Sequence, residues 1–208
     1  MFYFIKTPLW LMKLYRDCIW QMPNNEKIIY LTFDDGPHPA ATPFVLNALK
    51  RHNAKATFFC IGKNVLDQPE VYTRIISEGH AVGNHTFNHL NGWKTKDEVY
   101  LGNIEMAKKY IDSNLFRPPY GRVTKFQLRL LSASRYKFSA IMWTVLSGDF
   151  DKGIDNQKCL SNVIAHSGNG SIVLFHDSEK AREKITFALP KVLAHFTDKG
   201  YKFRRIDV

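Results

Sequence analysis

Short apolar runs alternate with helix-period segments along this chain, and most of the runs end on a charged or imidazole side chain. Residues 28–33 run into Asp34 and Asp35, 81–84 into His85, 115–116 into Arg117, and 171–175 into His176. Repeated strand-then-helix units require parallel pairing, because each helix carries the chain back across the sheet before the next strand. The expected fold is therefore α/β, with parallel strands inside, closed or nearly closed into a barrel, and helices outside. The carboxyl ends of such strands converge on one face, so segments far apart in sequence can meet there.

Helices are expected from Thr42 and Pro43 to about His52, and from Pro69 to Gly79 with Val71, Ile75 and Ile76 inward. Thr95-Lys96-Asp97-Glu98 has capping-box spacing ahead of Tyr100, Ile104, Ala107 and Ile111. Further helices are expected over 125–134, after Asp155 with Leu160, Val163 and Ile164, and over 182–196, stopped at Gly200. Strands at 57–61, 139–145 and 201–206 complete the pattern. With 208 residues and 45% apolar content the chain can bury one sizeable core, and no internal linker divides it.

Residues 1–25 stand apart from a domain over 26–208. Trp10, Leu11, Leu14, Tyr15, Cys18 and Ile19 recur at helical steps, with Lys13, Arg16 and Asp17 between them. That pattern predicts an amphipathic helix packed on the domain, with docking of residues 1–22 on a membrane surface as the alternative. No apolar run is long enough to span a bilayer and no small-residue cleavage site follows an apolar core, so a cytoplasmic or cytoplasmic-membrane-surface location is expected. Three cysteines without paired spacing predict no disulfide framework. The formal net charge of +10 favours acidic partners, but the basic residues are scattered, so nucleic acid is not an expected partner. A monomer is the default expectation.

The chemistry concentrates in two motifs. Thr32-Phe33-Asp34-Asp35-Gly36-Pro37 ends a strand on adjacent carboxylates, and His85-Thr86-Phe87-Asn88-His89 sets two imidazoles at i and i+4. On a helical turn those imidazoles would face one way. Together the motifs offer a carboxylate and two imidazoles to one divalent metal with open positions, leaving a second carboxylate beside it. That set points to a metal-dependent hydrolase. Arg117-Pro118-Pro119-Tyr120-Gly121 is a rigid segment that would fix the Tyr120 amide, and Arg117 could pair with a catalytic carboxylate or merely open a surface turn. His176 closes an apolar strand, and Asp149 could hydrogen-bond it and favour its protonated form. His38 and His80 lack comparable partners and read as structural or peripheral. A two-histidine, one-carboxylate iron oxygenase uses the same ligand types, but has no evident use for a second carboxylate and a distal imidazole.

These motifs, with the stretch Trp143–Phe150 and Leu174-Phe175-His176, occur in the order and spacing of the polysaccharide deacetylases, and the chain resembles that family (NodB homology domain, carbohydrate esterase family 4) over about residues 26–206. The resemblance implies a distorted (β/α) barrel that removes acetyl groups from sugars, most simply N-acetyl groups of a polysaccharide, oligosaccharide or glycan precursor. An O-acetyl xylan-type esterase and a non-catalytic glycan-binding relative are the alternatives. It further implies one divalent metal, Zn²⁺ by default with Co²⁺ or Ni²⁺ as substitutes, held by Asp35, His85 and His89. By the same resemblance Asp34 is the general base, oriented by Arg117. The Tyr120 amide faces the oxyanion, and His176 is the general acid, tuned by Asp149. Pro37, Trp143, Phe150 and Leu174 are placed at the substrate pocket, Leu174 against the acetyl methyl. The fourth motif of the family usually reads Asp-x-x-Asp-Trp; Leu146 and Phe150 replace its first and last residues here, which alters the wall facing the sugar.

Overall fold

A computed structural model describes residues 3–23, 25–133 and 137–208. Met1, Phe2 and Asn24 of the N-terminal segment and Ser134, the expected end of a helix, lie outside them. The strands are β1 (Cys18–Ile19), β2 (Ile28–Asp34), β3 (Thr57–Cys60), β4 (Ala81–Asn84), β5 (Leu115–Phe116), β6 (Ser139–Ile141), β7 (Val145–Leu146), β8 (Ile172–His176) and β9 (Lys202–Phe203). They form one parallel sheet in the order β1-β6-β5-β4-β3-β2-β8-β7, with β9 added to the start of β2. The helices are α1 (Leu9–Leu14), α2 (Ala41–Arg51), α3 (Gly62–Asp67), α4 (Pro69–Ser77), α5 (Asp97–Lys108), α6 (Lys125–Ser132), α7 (Asn156–His166) and α8 (Arg182–Asp198).

Strand β2 is buried along its whole length, as the continuous apolar run 28–33 requires of a strand covered on both faces. Ile29, Leu31 and Phe33 pack with Val45, Leu46 and Leu49 of α2 and Ile185, Leu189 and Val192 of α8 in the main core. The sheet is curled, and only residues 142–144 separate β6 from β7, which lie toward its opposite ends. The N-terminal segment covers that seam. Lys6 bridges Val145 in antiparallel fashion, Leu146 N–H donates to Ile5 O at 2.8 Å, and β1 pairs with β6.

Several expectations are corrected. The stripe from Trp10 to Ile19 is not one helix: α1 stops at Leu14, and Cys18 and Ile19 enter the sheet, where β6 offers backbone partners that a continued helix would forgo. Ile75 is buried but Ile76 is 50% exposed. Thr95 caps nothing; its hydroxyl donates to Asn91 O, and the capping box belongs to Thr124 and Gln127 at the start of α6. The run 139–145 divides into β6 and β7 where it crosses the seam. The three cysteines are free and buried. No helix among the described residues is long and apolar enough to cross a membrane.

His38 and His80 are structural. His38 Nδ1 accepts from the Ala41 amide ahead of α2. His80, 6% exposed, accepts the Ala56 N–H on Nδ1 at 3.2 Å and sets its ring edge-on to Phe58. Burial, reinforced by Lys55, lowers its pKa to about 4. The neutral form is the one that folds, so this stability is whole above the ordinary imidazole pKa and is lost as pH falls from about 6.5 toward 4. The loss amounts to about 3 kcal/mol at most. Denaturant titrations across that window should therefore show a decline in wild type that is shallower by one proton in His80→Asn.

Candidate active site

The site forms where β2, β4, β5 and β8 end. Register places Asp34 beside His176 on neighbouring strands, and the turn after β2 turns Asp35 outward with φ of 77°. His85 and His89 do not lie on a helical turn. They follow β4 in a loop where Thr86 and His89 themselves have positive φ, 63° and 57°. The two imidazoles therefore converge by loop backbone geometry rather than helical periodicity. Asn103 of α5 holds it by accepting the amides of Phe87 and Asn88, each at 2.9 Å.

Asp35 Oδ1 lies 3.1 Å from His89 Nε2 and 3.7 Å from His85 Nε2. These three ligand atoms all lie within 4.8 Å of one another. Donors arranged tetrahedrally at Zn–O and Zn–N bond lengths stand roughly 3.3–3.6 Å apart, so the cluster has the dimensions of a cation site. Two further observations fit a cation. Asp35 Oδ1 is buried and has no hydrogen-bond donor, and such an orphan carboxylate oxygen is costly unless a positive charge meets it. His85 Nδ1 lies 2.8 Å from Arg117 O and must donate to that carbonyl, which leaves a lone pair on Nε2, facing Asp35. Burial lowers the His85 pKa to about 4, keeping the ring neutral. Burial alone would raise the Asp35 pKa, but the imidazoles of His89, His176 and His85 outweigh it and hold the carboxyl well below the usual range.

Asp34 is 3% exposed and stays off that cluster. Its Oδ1 accepts from Arg117 Nη1 at 2.8 Å, while Oδ2 lies 3.9 Å from His85 Nε2. Arg117, fully buried, also donates to Thr32 Oγ1, Ile141 O and Met142 O, and its guanidinium lies 4.1 Å from the Phe59 ring centroid. It is a charged anchor, not a surface turn. Across the site Asp149 meets His176 twice: Oδ1 is 2.8 Å from Nδ1, and Oδ2 accepts the His176 amide at 2.7 Å. Burial would lower the His176 pKa, but the Asp149 carboxylate raises it to about 9.

Tyr120 is half exposed, with φ of 60°, and its hydroxyl lies 3.1 Å from His89 Nδ1. Phe150 stands edge-on to His176 with ring centroids 5.3 Å apart, and Tyr3 packs on its other contact at the same separation. Trp143 lies 5.7 Å from the Arg117 guanidinium, and Pro37 and Leu174 are buried beside the strand ends.

Asp177 has no place in the motif reading but is part of the framework. Fully buried, it accepts from the Gly36 amide at 3.1 Å and bonds the Thr42 hydroxyl, while its own amide donates to Asp34 O. A Cβ on Gly36 would meet Asp177 Oδ2 at 2.1 Å, so the glycine after the two aspartates is required for this close approach. Burial pushes the Asp177 carboxyl up to about 8. The one sequence signal was its place next to His176 at the end of an apolar run.

A parallel α/β barrel with a cation-sized Asp-His-His cluster at its strand ends, a second carboxylate beside it and a carboxylate-held imidazole on the neighbouring strand defines a metal-dependent hydrolase. The polysaccharide deacetylase family profile matches residues 21–139. A peptidoglycan-N-acetylglucosamine deacetylase of Bacillus cereus is 36% identical over 190 residues, covering 88% of each chain. A chitooligosaccharide deacetylase of Bradyrhizobium is 38% identical over 157 residues, 72% of this chain and 70% of the other. The crystal structure of a peptidoglycan N-acetylglucosamine deacetylase in complex with 4-naphthalen-1-yl-N-oxidanyl-benzamide superposes with a TM-score of 0.87 at 32% identity, covering 96% and 95% of the two chains. The chain belongs to the polysaccharide deacetylase family and is a metal-dependent enzyme that removes acetyl groups from carbohydrates.

The clamp around Gly36 gives a test that needs no substrate. Asp177→Ala removes both side-chain bonds and should weaken metal binding by about 10- to 100-fold in competition with a chromophoric chelator. Asp177→Asn, which can bond both Gly36 N–H and Thr42 Oγ1, should stay near wild type.

Proposed function

We propose that the chain hydrolyses the N-acetyl group of N-acetylglucosamine-type units, using Asp35, His85 and His89 as ligands for one Zn²⁺. The observation that carries this reading is the convergence of those three side chains, with Asp34 and His176, in register on neighbouring strands, left out of the cluster. The relatives' names supply amino-sugar amides as substrates, which favours N-acetyl over O-acetyl chemistry.

A cation held there by Asp35, His85 and His89 would supply Lewis acidity toward the acetyl carbonyl and the attacking water. Asp34 acts as general base. Arg117 fixes its orientation through Oδ1, so Oδ2 is the oxygen that takes the proton of the attacking water. The Tyr120 amide, which has no acceptor among the described residues, is the protein donor for the developing oxyanion, a contribution of about 3 kcal/mol for one well-placed donor. His176 is the general acid. Asp149 holds Nδ1, leaving Nε2–H to protonate the departing sugar nitrogen, which leaves poorly as an amide anion. Leu174 and Phe150 form apolar walls beside these groups.

Acetate release from peptidoglycan fragments, chitooligosaccharides and acetylated xylan, after chelation and reloading with Zn²⁺, Co²⁺ or Ni²⁺, tests the substrate and the metal. Amino-sugar substrates should be cleaved and xylan esters spared. Asp34→Asn should lower kcat by about 10²–10⁴-fold while still binding one metal, and His85→Ala should lose the metal. Full turnover in Asp34→Asn would sink the assignment of the base.

His176 must be protonated to act, and its charged form persists up to about pH 9. Activity should therefore fall as pH rises through that value. In Asp149→Asn the alkaline limb of the pH–kcat profile should move down toward the ordinary imidazole range, with kcat reduced, because the raising charge is gone.

A further inference from the structure

The N-terminal segment does more than cover the seam. Between α1 and the mouth of the active site lies an open groove of about 420 Å³, within the size range of pockets that hold small molecules. Trp10, Leu11 and Leu14 form one wall, Trp93, Val123 and Trp143 are among the residues opposite, and Arg122 is its one charged lining residue. All four tryptophans of the chain line it. The groove is continuous with the catalytic site through Tyr120, which lines it and whose hydroxyl lies 3.1 Å from His89 Nδ1.

Aromatic walls beside a carbohydrate site can stack on sugar rings, but ring stacking comes with hydrogen bonds to hydroxyls, and this groove has few to give. The Tyr3 hydroxyl is bonded to Asp151, the Thr7 hydroxyl to Trp143 O, the Trp20 indole to Tyr15 O and the Trp93 indole to Val123 O. The Trp10 and Trp143 indoles, the Tyr15 hydroxyl and Arg122 remain as donors, but most of the exposed lining is hydrocarbon, including large side chains open to solvent: Trp10 is 59% exposed and Leu14 48%. Such a surface rewards a ligand with no hydroxyls to desolvate. The Arg122 guanidinium, 4.2 Å from the Trp93 ring centroid, is placed to meet an anion at the groove.

We propose that this groove binds the hydrocarbon chain of an amino-sugar glycolipid, so that the acetylated sugar reaches the active site while its apolar chain, joined through an anionic linkage near Arg122, lies against α1. The proposal rests on the deacetylase reading above for the identity of the sugar. It assigns residues 9–14 a part in substrate selection and leaves the reaction at the acetyl group unchanged.

Because every tryptophan lines the groove, intrinsic fluorescence reports occupancy without turnover. Methyl, butyl and octyl β-glycosides of N-acetylglucosamine, below micellar concentration, are titrated into the protein. Each methylene removed from water is worth up to roughly fourfold in affinity, so Kd should fall by at least about tenfold from butyl to octyl. In Trp10→Ala/Leu14→Ala, two side chains outside the buried core, that gain should vanish while methyl glycoside binding is unchanged. Octyl phosphate should bind wild type more tightly than Arg122→Gln. Equal affinity for butyl and octyl glycosides in wild type, or an undiminished gain in the double variant, would overturn the proposal. Acetate release from chitooligosaccharides by the same preparations reads the deacetylase separately: its absence with chain-length selectivity intact would fault the catalytic reading and spare the groove.

Discussion

The buried ion pair between Arg117 and Asp34 is the interaction on which the rest of the site depends. A guanidinium with no exposed surface is tolerable only when its donors are satisfied and its charge is met. Here the donors reach Thr32 on β2 and the carbonyls of Ile141 and Met142 at the end of β6, while the charge is met by Asp34. The carbonyl of the same residue fixes the tautomer of His85. One arginine thus joins β2, the end of β5, β6 and the loop after β4. Removing either partner of such a pair typically costs about 3–5 kcal/mol, because the survivor is left charged and unsolvated. The network therefore fixes where the Asp34 carboxylate points as firmly as it fixes the fold.

Around this anchor the backbone takes conformations that most residues avoid. Asp35, Thr86, His89 and Tyr120 all have positive φ, and among the described non-glycine residues only Asn53 and Lys137 share it. Three of those four carry chemistry in the proposed mechanism, and Thr86 lies between the two histidines. Such strain persists where surrounding structure over-determines it, and the supports are visible. Asp177 grips the turn after Asp35, Asn103 holds the loop before His89, and Pro118 and Pro119 precede Tyr120. The convergence that permits metal chemistry is imposed from behind by groups that touch neither metal nor substrate.

Much of this was legible in the sequence because parallel strands buried on both faces announce themselves as unbroken apolar runs, and their charged terminators mark the site. The runs ending at Asp34, His85, Arg117 and His176 place those residues on one face by strand direction alone. What misled was local periodicity. His85 and His89 at i and i+4 suggest a helix, yet the amides of Phe87 and Asn88 donate to Asn103, eighteen residues beyond His85, and hold a loop with left-handed residues instead. The Trp10–Ile19 stripe also looks helical, but the free edge of β6 competes for Cys18 and Ile19 and wins. Asp177 is marked only by its place after His176, because its importance lies in a contact with Gly36, across the strand ends, which no neighbouring residue encodes.

The same competition explains why the N-terminal segment has two characters. Its ends, residues 5–7 and 18–19, are spent on sheet hydrogen bonds on either side of the seam between β6 and β7. The six residues of α1 between them are too few to be stable alone, and the helix has no buried side chain. It is held mainly by its tethers: Leu11 and Met12 pack partly against the core, while Trp10 and Leu14 are left exposed at the groove. A helix fixed at both ends with its hydrophobic residues unburied gains most from a ligand that supplies the missing apolar partner without asking the backbone to move. That arrangement links sheet closure to substrate selection, since the hydrogen bonds completing the barrel are the ones that position Trp10 and Leu14.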